Sequence, residues 1–148
     1  MIALANDHGG FELMREIRSY LDDRGYKYKY FGEDSTDSSD YPKLAVLAAN
    51  AIISGECERG ILVCGTGIGM SITANKIPGI RAAHCADCFS AEMTRRHNDA
   101  NVLALGGRVT GSGHALMIVE VFLNIEFEDN SRHSKRVEMI NALDEDRG

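Results

Sequence analysis

Short apolar runs alternate along the chain with longer segments in which apolar residues recur every three or four positions. The short runs predict β-strands, and the longer segments predict amphipathic helices. One run, Gly60–Cys64, is almost wholly apolar, which is typical of a strand covered on both faces of a sheet. The predicted strands are Ile2–Asn6, Tyr26–Phe31, Gly60–Cys64, Arg81–Ala86 and Asn101–Leu105.

The predicted helices lie between and after these strands. In the first of them Met14, Ile17 and Leu21 have helical spacing, and Gly25 follows as a typical helix end. The predicted helices are Phe11–Arg24, Lys43–Ser54, Ser71–Lys76, a helix capped by Ser90 that ends near Asn98, a helix capped by Ser112 that contains Ala115–Leu123, and Ser131–Leu143.

This regular alternation of strand and helix predicts an α/β protein in which residues 1–148 form a single domain. Crossover helices cover both faces of a parallel sheet when each connection is right-handed. The predicted architecture is therefore a three-layer αβα sandwich, with a Rossmann-like five-stranded parallel sheet and helices on both faces.

The loops after the first, third and fifth strands carry most of the residues capable of chemistry. In open parallel sheets, ligands bind beyond the carboxyl ends of the strands, at the point where the strand order reverses. These loops, Asp7–Gly10, Cys64–Gly69 and Gly106–Arg108, are therefore expected to converge on one edge of the sheet.

Composition and charge narrow the classes of function. The net charge is −6, and no basic stripe could follow a phosphate backbone, which argues against a nucleic-acid partner. No apolar run approaches the roughly 20 residues of a membrane helix, and the start of the chain has no signal-peptide pattern. We therefore expect a cytoplasmic protein without a membrane partner, whose four cysteines are free thiols.

The sharpest local feature is the sequence Cys64-Gly65-Thr66-Gly67-Ile68-Gly69. Alternate glycines let a backbone turn tightly and direct several N–H groups at one point, which attracts anions and favours a thiolate beside them. The alternative is a buried structural cysteine at a strand end. The spacing is neither that of a dinucleotide fingerprint nor that of a P-loop. The glycine loop favours a functional Cys64.

Two further candidates have adequate structural explanations. Asp7 could cap a helix and His8 could be a surface histidine, although both lie at the predicted ligand edge. Arg95, Arg96 and Asn98 suit the end of a helix. That explanation does not require His97, whose imidazole could act as an acid or base near neutral pH.

A group of basic residues could bind a small anion. Arg132 and Arg136 are four residues apart on one predicted helix face, where like charges repel unless an anion lies between them. Together with Arg108 and His8 they could form a phosphate clamp, and the alternative is a solvated charged helix. The remaining candidates are read as incidental, structural or surface residues: Cys85, Cys88, His84, His114 and His133.

In order and spacing, these motifs resemble the B-type ribose-5-phosphate isomerases, a family that also includes allose-6-phosphate and galactose-6-phosphate isomerases. The resemblance covers essentially the whole chain. The matching segments are Asp7–Leu13, Asp40–Pro42, Cys64–Gly69, Ala74–Lys76, Arg96–Leu103, Gly106–Arg108 and Arg132-His133-x-x-Arg136.

The resemblance implies a role for each matching residue. It implies that Cys64 is the base that moves a proton between C1 and C2, and that Thr66 helps to move a proton between the two oxygens. It implies that His97, with Asp7 nearby, opens the sugar ring. Backbone N–H groups of Gly65, Gly67, Ile68 and Gly69 would stabilise the enediolate, Asn98 and Tyr41 would contact hydroxyls, and His8, Arg108, Arg132 and Arg136 would hold the phosphate.

The family also implies a homodimer, or a tetramer built from dimers. The site would lie between two subunits, and the last helix would pack on the partner subunit. It implies no cofactor and no metal. Some members have a glutamate base just after the glycine loop, where this chain has Met70, so Cys64 is expected to be the base. Gly9 and Met14 are minor departures from the usual first loop.

One alternative stays open, the identity of the sugar phosphate, and two binding-module alternatives are disfavoured by the residues that follow the strands. The substrate could be allose 6-phosphate or galactose 6-phosphate instead of ribose 5-phosphate. A receiver domain would place an aspartate where this chain has Cys64. A flavin-binding module would have a hydroxyl-rich loop in place of Asp7–Gly10.

Overall fold

The computed structural model describes residues 1–146 except for the side chain of Ser131, and it contains a five-stranded parallel sheet. The strand order is β2-β1-β3-β5-β4. The strands are β1 (Ile2–Asn6), β2 (Tyr28–Tyr30), β3 (Arg59–Cys64), β4 (Ala82–His84) and β5 (Val102–Gly106). The predicted α/β fold with one parallel sheet is confirmed.

The helices are α1 (Phe11–Asp23), α2 (Tyr41–Ile53), α3 (Ile68–Ala74), α4 (Cys88–Asn98), α5 (Ser112–Asn124) and α6 (Ser131–Glu145). Within residues 1–146, none of them is long and apolar enough to cross a membrane.

Four predicted helix starts were wrong. α2 begins at Tyr41 and not at Lys43, with Pro42 in its first turn. α3 begins at Ile68 and not at Ser71, because Gly67 adopts a left-handed conformation that turns the glycine loop directly into the helix. The N-cap of α4 is Asp87, whose carboxylate accepts the N–H of Ser90 at 2.6 Å. The N-cap position of α5 is Gly111, so Ser112 is already inside the helix.

Two apolar clusters lie on opposite faces of the sheet, because alternate residues of each strand point to opposite faces. Leu4, Ile61 and Leu103 pack with α1, α4 and α5 on one face. Ala3 and Leu62 pack with α2 and α3 on the other face. The three layers of the predicted sandwich are therefore present.

The strand order decides which loops meet. β1, β3 and β5 are adjacent, and the direction of chain winding reverses between β1 and β3. We call the side of the sheet where all strands end the carboxyl edge, and the opposite side the amino edge. The loops after β1, β3 and β5 are neighbours at the carboxyl edge, as predicted.

Candidate active site

Cys64 is the last residue of β3, and its side chain points toward α2 and α3. The residue is 5% exposed. The backbone N–H of Gly67 donates to the Cys64 Sγ at 3.1 Å. This hydrogen bond orients the sulfur at the start of the glycine loop and stabilises negative charge on it.

The other buried cysteines have different surroundings. Burial raises the pKa of Cys85 to about 11, with the charge of Asp87 adding to the effect. Burial, with the charge of Glu56, also raises the pKa of Cys57. Both therefore stay protonated thiols near neutral pH, which suits a structural role.

Close backbone approaches bring the three loops together. A Cβ added to Gly9 would lie 2.9 Å from the backbone nitrogen of Gly65, and one added to Gly107 would lie 2.7 Å from the carbonyl oxygen of Gly9. The N–H of Gly107 donates to the carbonyl of Cys64 at 2.8 Å. Larger residues would separate the loops, so these glycines permit the predicted convergence.

Three side chains border the glycine loop. The Tyr41 ring packs on Gly69, where an added Cβ would lie 2.6 Å from the ring carbon Cζ. The Arg108 guanidinium lies beside Gly65, where an added Cβ would be 3.3 Å from Nη1. The exposed Thr66 accepts the N–H of Ile68 on its Oγ1 at 3.2 Å. All three were predicted site residues.

Asp7 has the capping function that its position suggested. Its Oδ1 accepts the N–H groups of Gly9 at 2.9 Å and Gly10 at 3.1 Å, and the residue is buried. The second carboxylate oxygen is 3.9 Å from Nδ1 of His8. His8 in turn accepts the N–H of Ser39 at 3.3 Å. Both residues are thus fixed at the carboxyl edge.

The remaining predicted residues lie at the amino edge. α4 starts after the carboxyl end of β4 and ends at Asn98, whose carbonyl accepts from Nε of Arg81, just before β4 begins. The eleven residues of α4 span about 16 Å. Within one chain His97 therefore lies at the opposite edge of the sheet from Cys64 and Asp7, at a separation on the order of this helix length.

The predicted site thus divides into two clusters. We call residues Asp7, His8, Tyr41, Cys64–Gly69 and Arg108 the carboxyl-edge cluster. We call residues His97, Asn98, Arg132 and Arg136 the amino-edge cluster.

A buried arginine fixes the turn that follows α4. Arg95 donates from Nη1 to the carbonyl of Ala100 at 2.6 Å and to Oδ1 of Asp99 at 2.9 Å. Asp99 has a positive φ of 46°. These bonds hold the end of α4, and with it His97, against the start of β5.

The three arginines predicted to hold phosphate share one property. Among the described residues, and leaving aside the side chain of Ser131, the guanidinium groups of Arg108, Arg132 and Arg136 form no hydrogen bond or ion pair. By contrast, Arg81 and Arg95 both bind Asp99, and Arg96 binds Glu92 and Glu128. The three arginines are therefore available to bind an anion.

Two histidines that the sequence reading left as structural or surface residues lie beside the predicted site. His84 packs against Gly67, where an added Cβ would be 2.8 Å from Cδ2 of the histidine. The His133 ring stacks on His97 with a centroid distance of 4.3 Å and an interplanar angle of 15°. His133 follows Arg132 inside one of the matching motifs, and this position could have identified it as a candidate site residue.

The described residues contain one group that brings three potential metal-binding atoms within 4.8 Å of one another: His97, Glu128 and His133. A nitrogen lone pair lies in the plane of its ring. Because the two ring planes are nearly parallel, no ion could lie in line with a lone pair of each ring. This geometry identifies the group as an aromatic stack and not as a metal site.

Gly67→Ala should damage both stability and catalysis. The glycine has a φ of 81°, and an added Cβ would lie 2.7 Å from the carbonyl carbon of Leu105. We expect chemical denaturation to give an unfolding free energy lower by about 2–5 kcal/mol, from left-handed strain and overpacking together. Displacement of the loop should also lower kcat more than about tenfold.

Gly55→Ala is the matched control, because Gly55 has a φ of 80° and open space around it. It should lose only about 1–2 kcal/mol of unfolding free energy and keep full activity. Equal effects of the two substitutions would contradict the steric role of Gly67.

The comparisons with known proteins agree across the whole chain. The family model described as Ribose/Galactose Isomerase matches residues 2–140. The ribose-5-phosphate isomerase B of Escherichia coli is 47% identical, over 99% of this chain and 97% of the relative. The D-erythrulose-4-phosphate isomerase of Pectobacterium atrosepticum is 44% identical, over 86% of this chain and 84% of the relative. The solved structure of the Clostridium thermocellum ribose-5-phosphate isomerase B has a TM-score of 0.97 and 49% identity, and the match covers 99% of both chains.

Proposed function

The chain belongs to the ribose/galactose isomerase family and interconverts ribose 5-phosphate and ribulose 5-phosphate, and we propose that Cys64 is the base of this reaction. The observation that carries the proposal is the position of Cys64 at the start of the glycine loop, where its Sγ accepts the N–H of Gly67 at 3.1 Å. A thiolate in this position has a hydrogen-bond donor and lies next to further backbone N–H groups.

The proposed reaction begins with the open-chain aldose. The Cys64 thiolate takes the proton from C2, and the resulting thiol returns a proton to C1. Backbone N–H groups of residues 65–69 stabilise the enediolate between these steps, and in well-studied oxyanion sites each such donor contributes about 10²–10³ in rate. Thr66, whose exposed hydroxyl lies at the rim of the loop, moves a proton between the oxygens on C2 and C1.

Ring opening has to precede this proton transfer, because the stable form of ribose 5-phosphate is a furanose. We assign the proton delivered to the ring oxygen to His97, with Asp7 assisting from the other side of the sugar. Asn98 and Tyr41 contact hydroxyl groups. His8, Arg108, Arg132 and Arg136 bind the phosphate, and this binding energy holds the reacting carbons in place.

The separation of the two clusters supports a homodimer, with pairing of dimers into a tetramer as a further state. A ligand that touches both Cys64 and His97 has to span about 16 Å in one chain, which is longer than a pentose phosphate. A second copy can supply the missing cluster if its amino edge faces the carboxyl edge of the first.

The exposed apolar residues support the same arrangement. α6 exposes Met139, Ile140 and Leu143, and α3 exposes Ile68 and Ile72. Apolar surfaces of this kind on the elements that carry the two clusters suit an interface between copies. We therefore propose that residues 1–148 form one domain whose α6 packs on the partner subunit.

The chemistry of the proposed site also bears on the cellular compartment and the pathway of the protein. All four cysteines are free thiols, which is typical of a reducing compartment and favours the cytoplasm. The substrate and product are intermediates of the pentose phosphate pathway, and we propose that the protein acts there.

His97→Asn tests the assignment of ring opening. Ribulose 5-phosphate cannot close a furanose ring, because its C5 oxygen carries the phosphate, so exchange of its C1 hydrogen with solvent deuterium reports enolisation alone. We expect kcat/KM for ribose 5-phosphate to fall by about 10²–10⁴-fold, while C1 exchange, followed by NMR, falls less than about tenfold. Equal losses in both reactions would overturn the role of His97.

A further inference from the structure

His133 is a buried polar residue whose ring lies directly against the proposed ring-opening residue. It is 3% exposed, whereas His97 is half-buried. The two rings are stacked with centroids 4.3 Å apart and an interplanar angle of 15°. One face of the His97 ring is therefore covered by another imidazole, which restricts its rotation.

The position of His133 is fixed by its own helix. Its backbone N–H donates to Oδ1 of the N-cap residue Asn130 at 3.0 Å, which sets the start of α6. Val137, one turn later, is also buried, so the two residues form the inward face of the first turns of α6. His133 is thus held by the helix cap and by packing, and it can act as a fixed surface for His97.

We propose that His133 is a positioning residue that fixes the plane of the His97 ring and, by staying neutral, leaves the catalytic proton on His97. The proposal rests on the ring-opening role assigned to His97. It adds a residue that does not touch the sugar and acts through the orientation and charge of its neighbour.

The surroundings of His133 favour its neutral form. Nδ1 is buried and has no hydrogen-bond partner among the described atoms, which exclude the side chain of Ser131, so a second N–H on the ring would have no acceptor there. The charged groups facing the ring are His97 from α4, Arg132 and Arg136 from α6, and Glu128 from the preceding loop. Burial first, and then the positive charges, lower the pKa of His133, and only Glu128 acts in the opposite direction.

The position of Glu128 is also fixed. Its Oε1 accepts from Nη1 of Arg96 at 3.2 Å, and its backbone N–H donates to the carbonyl of Arg96 at 3.0 Å. Its Oε2 lies 3.7 Å from Nε2 of His133. The carboxylate therefore shares its charge with Arg96, which leaves His133 neutral and the adjacent His97 able to take the proton without a second imidazolium beside it.

Substitutions at His133 test the stacking. We expect His133→Ala to lower turnover of ribose 5-phosphate by about 10- to 100-fold, because the His97 ring loses its support, while C1 exchange of ribulose 5-phosphate changes less than about threefold. His133→Phe keeps a flat ring at this position and should restore turnover to within about threefold of the parent. His114→Ala, a substitution of an exposed histidine on α5, is the control and should change neither rate.

The pH dependence of the two rates tests whether His133 is neutral. As the pH falls, protonation of His133 places a positive charge against His97 in the parent. The ratio of ribose 5-phosphate turnover to C1 exchange should therefore fall more steeply toward pH 5 in the parent than in His133→Phe. An equal decrease in both proteins would overturn the proposed neutrality.

The outcomes separate this inference from the function on which it rests. If His97→Asn slows ring opening selectively but His133→Ala does not, the positioning role is wrong and the role of His97 stands. If His133→Ala lowers both rates equally, or if a folded His133→Phe fails to restore turnover, the residue is only structural. If His97→Asn itself has no selective effect, the assignment of ring opening fails first.

Discussion

Cys64→Ala is expected to lower kcat/KM for ribose 5-phosphate by about 10²–10⁴-fold, the range typical of a lost general base. It should also abolish exchange of the C1 hydrogen of ribulose 5-phosphate with solvent, because the same group serves enolisation in both directions. The alanine variant keeps the backbone of the glycine loop, so substrate binding should change little. Coupled spectrophotometry and NMR in D₂O, both with excess chelator, measure the two effects.

Cys85→Ala is the matched control. Cys85 is as deeply buried as Cys64, but burial raises its pKa to about 11, and it lies outside both clusters. Its replacement should cost some stability and no catalysis. Retention of C1 exchange by a folded Cys64→Ala protein would show that another group is the base, and the assignment would then fail.

Mixing two inactive variants should restore activity. In a heterodimer of Cys64→Ala with His97→Asn, one of the two sites combines an intact carboxyl-edge cluster with an intact amino-edge cluster. Random pairing makes about half of all dimers mixed, so about a quarter of all sites should recover. Co-refolding of differently tagged chains, followed by separation of the mixed dimer, measures this recovery per site.

A second pair of variants provides the control. Cys64→Ala and Asp7→Asn both alter the carboxyl-edge cluster, so each site of their mixed dimer carries one damaged group. We expect no recovery from this pair, although Asp7→Asn also weakens the cap that binds Gly9 and Gly10. Recovery from the second pair, or none from a confirmed mixed dimer of the first, would contradict a site shared between subunits.

The fold was predictable from local pattern because the spacing of apolar residues differs between strands and helices. The strands were located within a few residues, since continuous apolar runs such as Ile2–Asn6 fit only a covered strand. The starts of α2, α3, α4 and α5 were less accurate. A cap depends on backbone angles, and the sequence does not indicate whether Asp87 or Ser90 supplies the capping oxygen.

The content of the site was predictable for a different reason. Residues that follow the strands of a parallel sheet meet at one edge once the order of strands is known, and the glycines beside Cys64 are needed for the loops to touch. The place of His97 was not predictable from spacing. The resemblance implied that His97 acts with Asp7 in a site between two subunits, and the direction of α4 carries His97 to the amino edge of its own chain.

His133 shows the same limit at shorter range. Its place in the matching motif beside Arg132 is a signal in the sequence, but helical spacing alone does not distinguish it from a structural or surface histidine. Only the packing of α6 on α4 brings its ring within 4.3 Å of His97. Contacts between elements depend on their relative placement, which local periodicity does not encode.

The sequence by itself determined the class of fold, the identity of the candidate base and the set of candidate anion-binding side chains, because each depends on residue type and on spacing within one element or loop. The tertiary structure alone decided which of these candidates share a cluster, which arginines have no partner among the described side chains, and that the two clusters lie at opposite edges of the sheet. The physical reason is that a helix of eleven residues carries its end about 16 Å from its start, and the path of the chain sets where that end comes to lie.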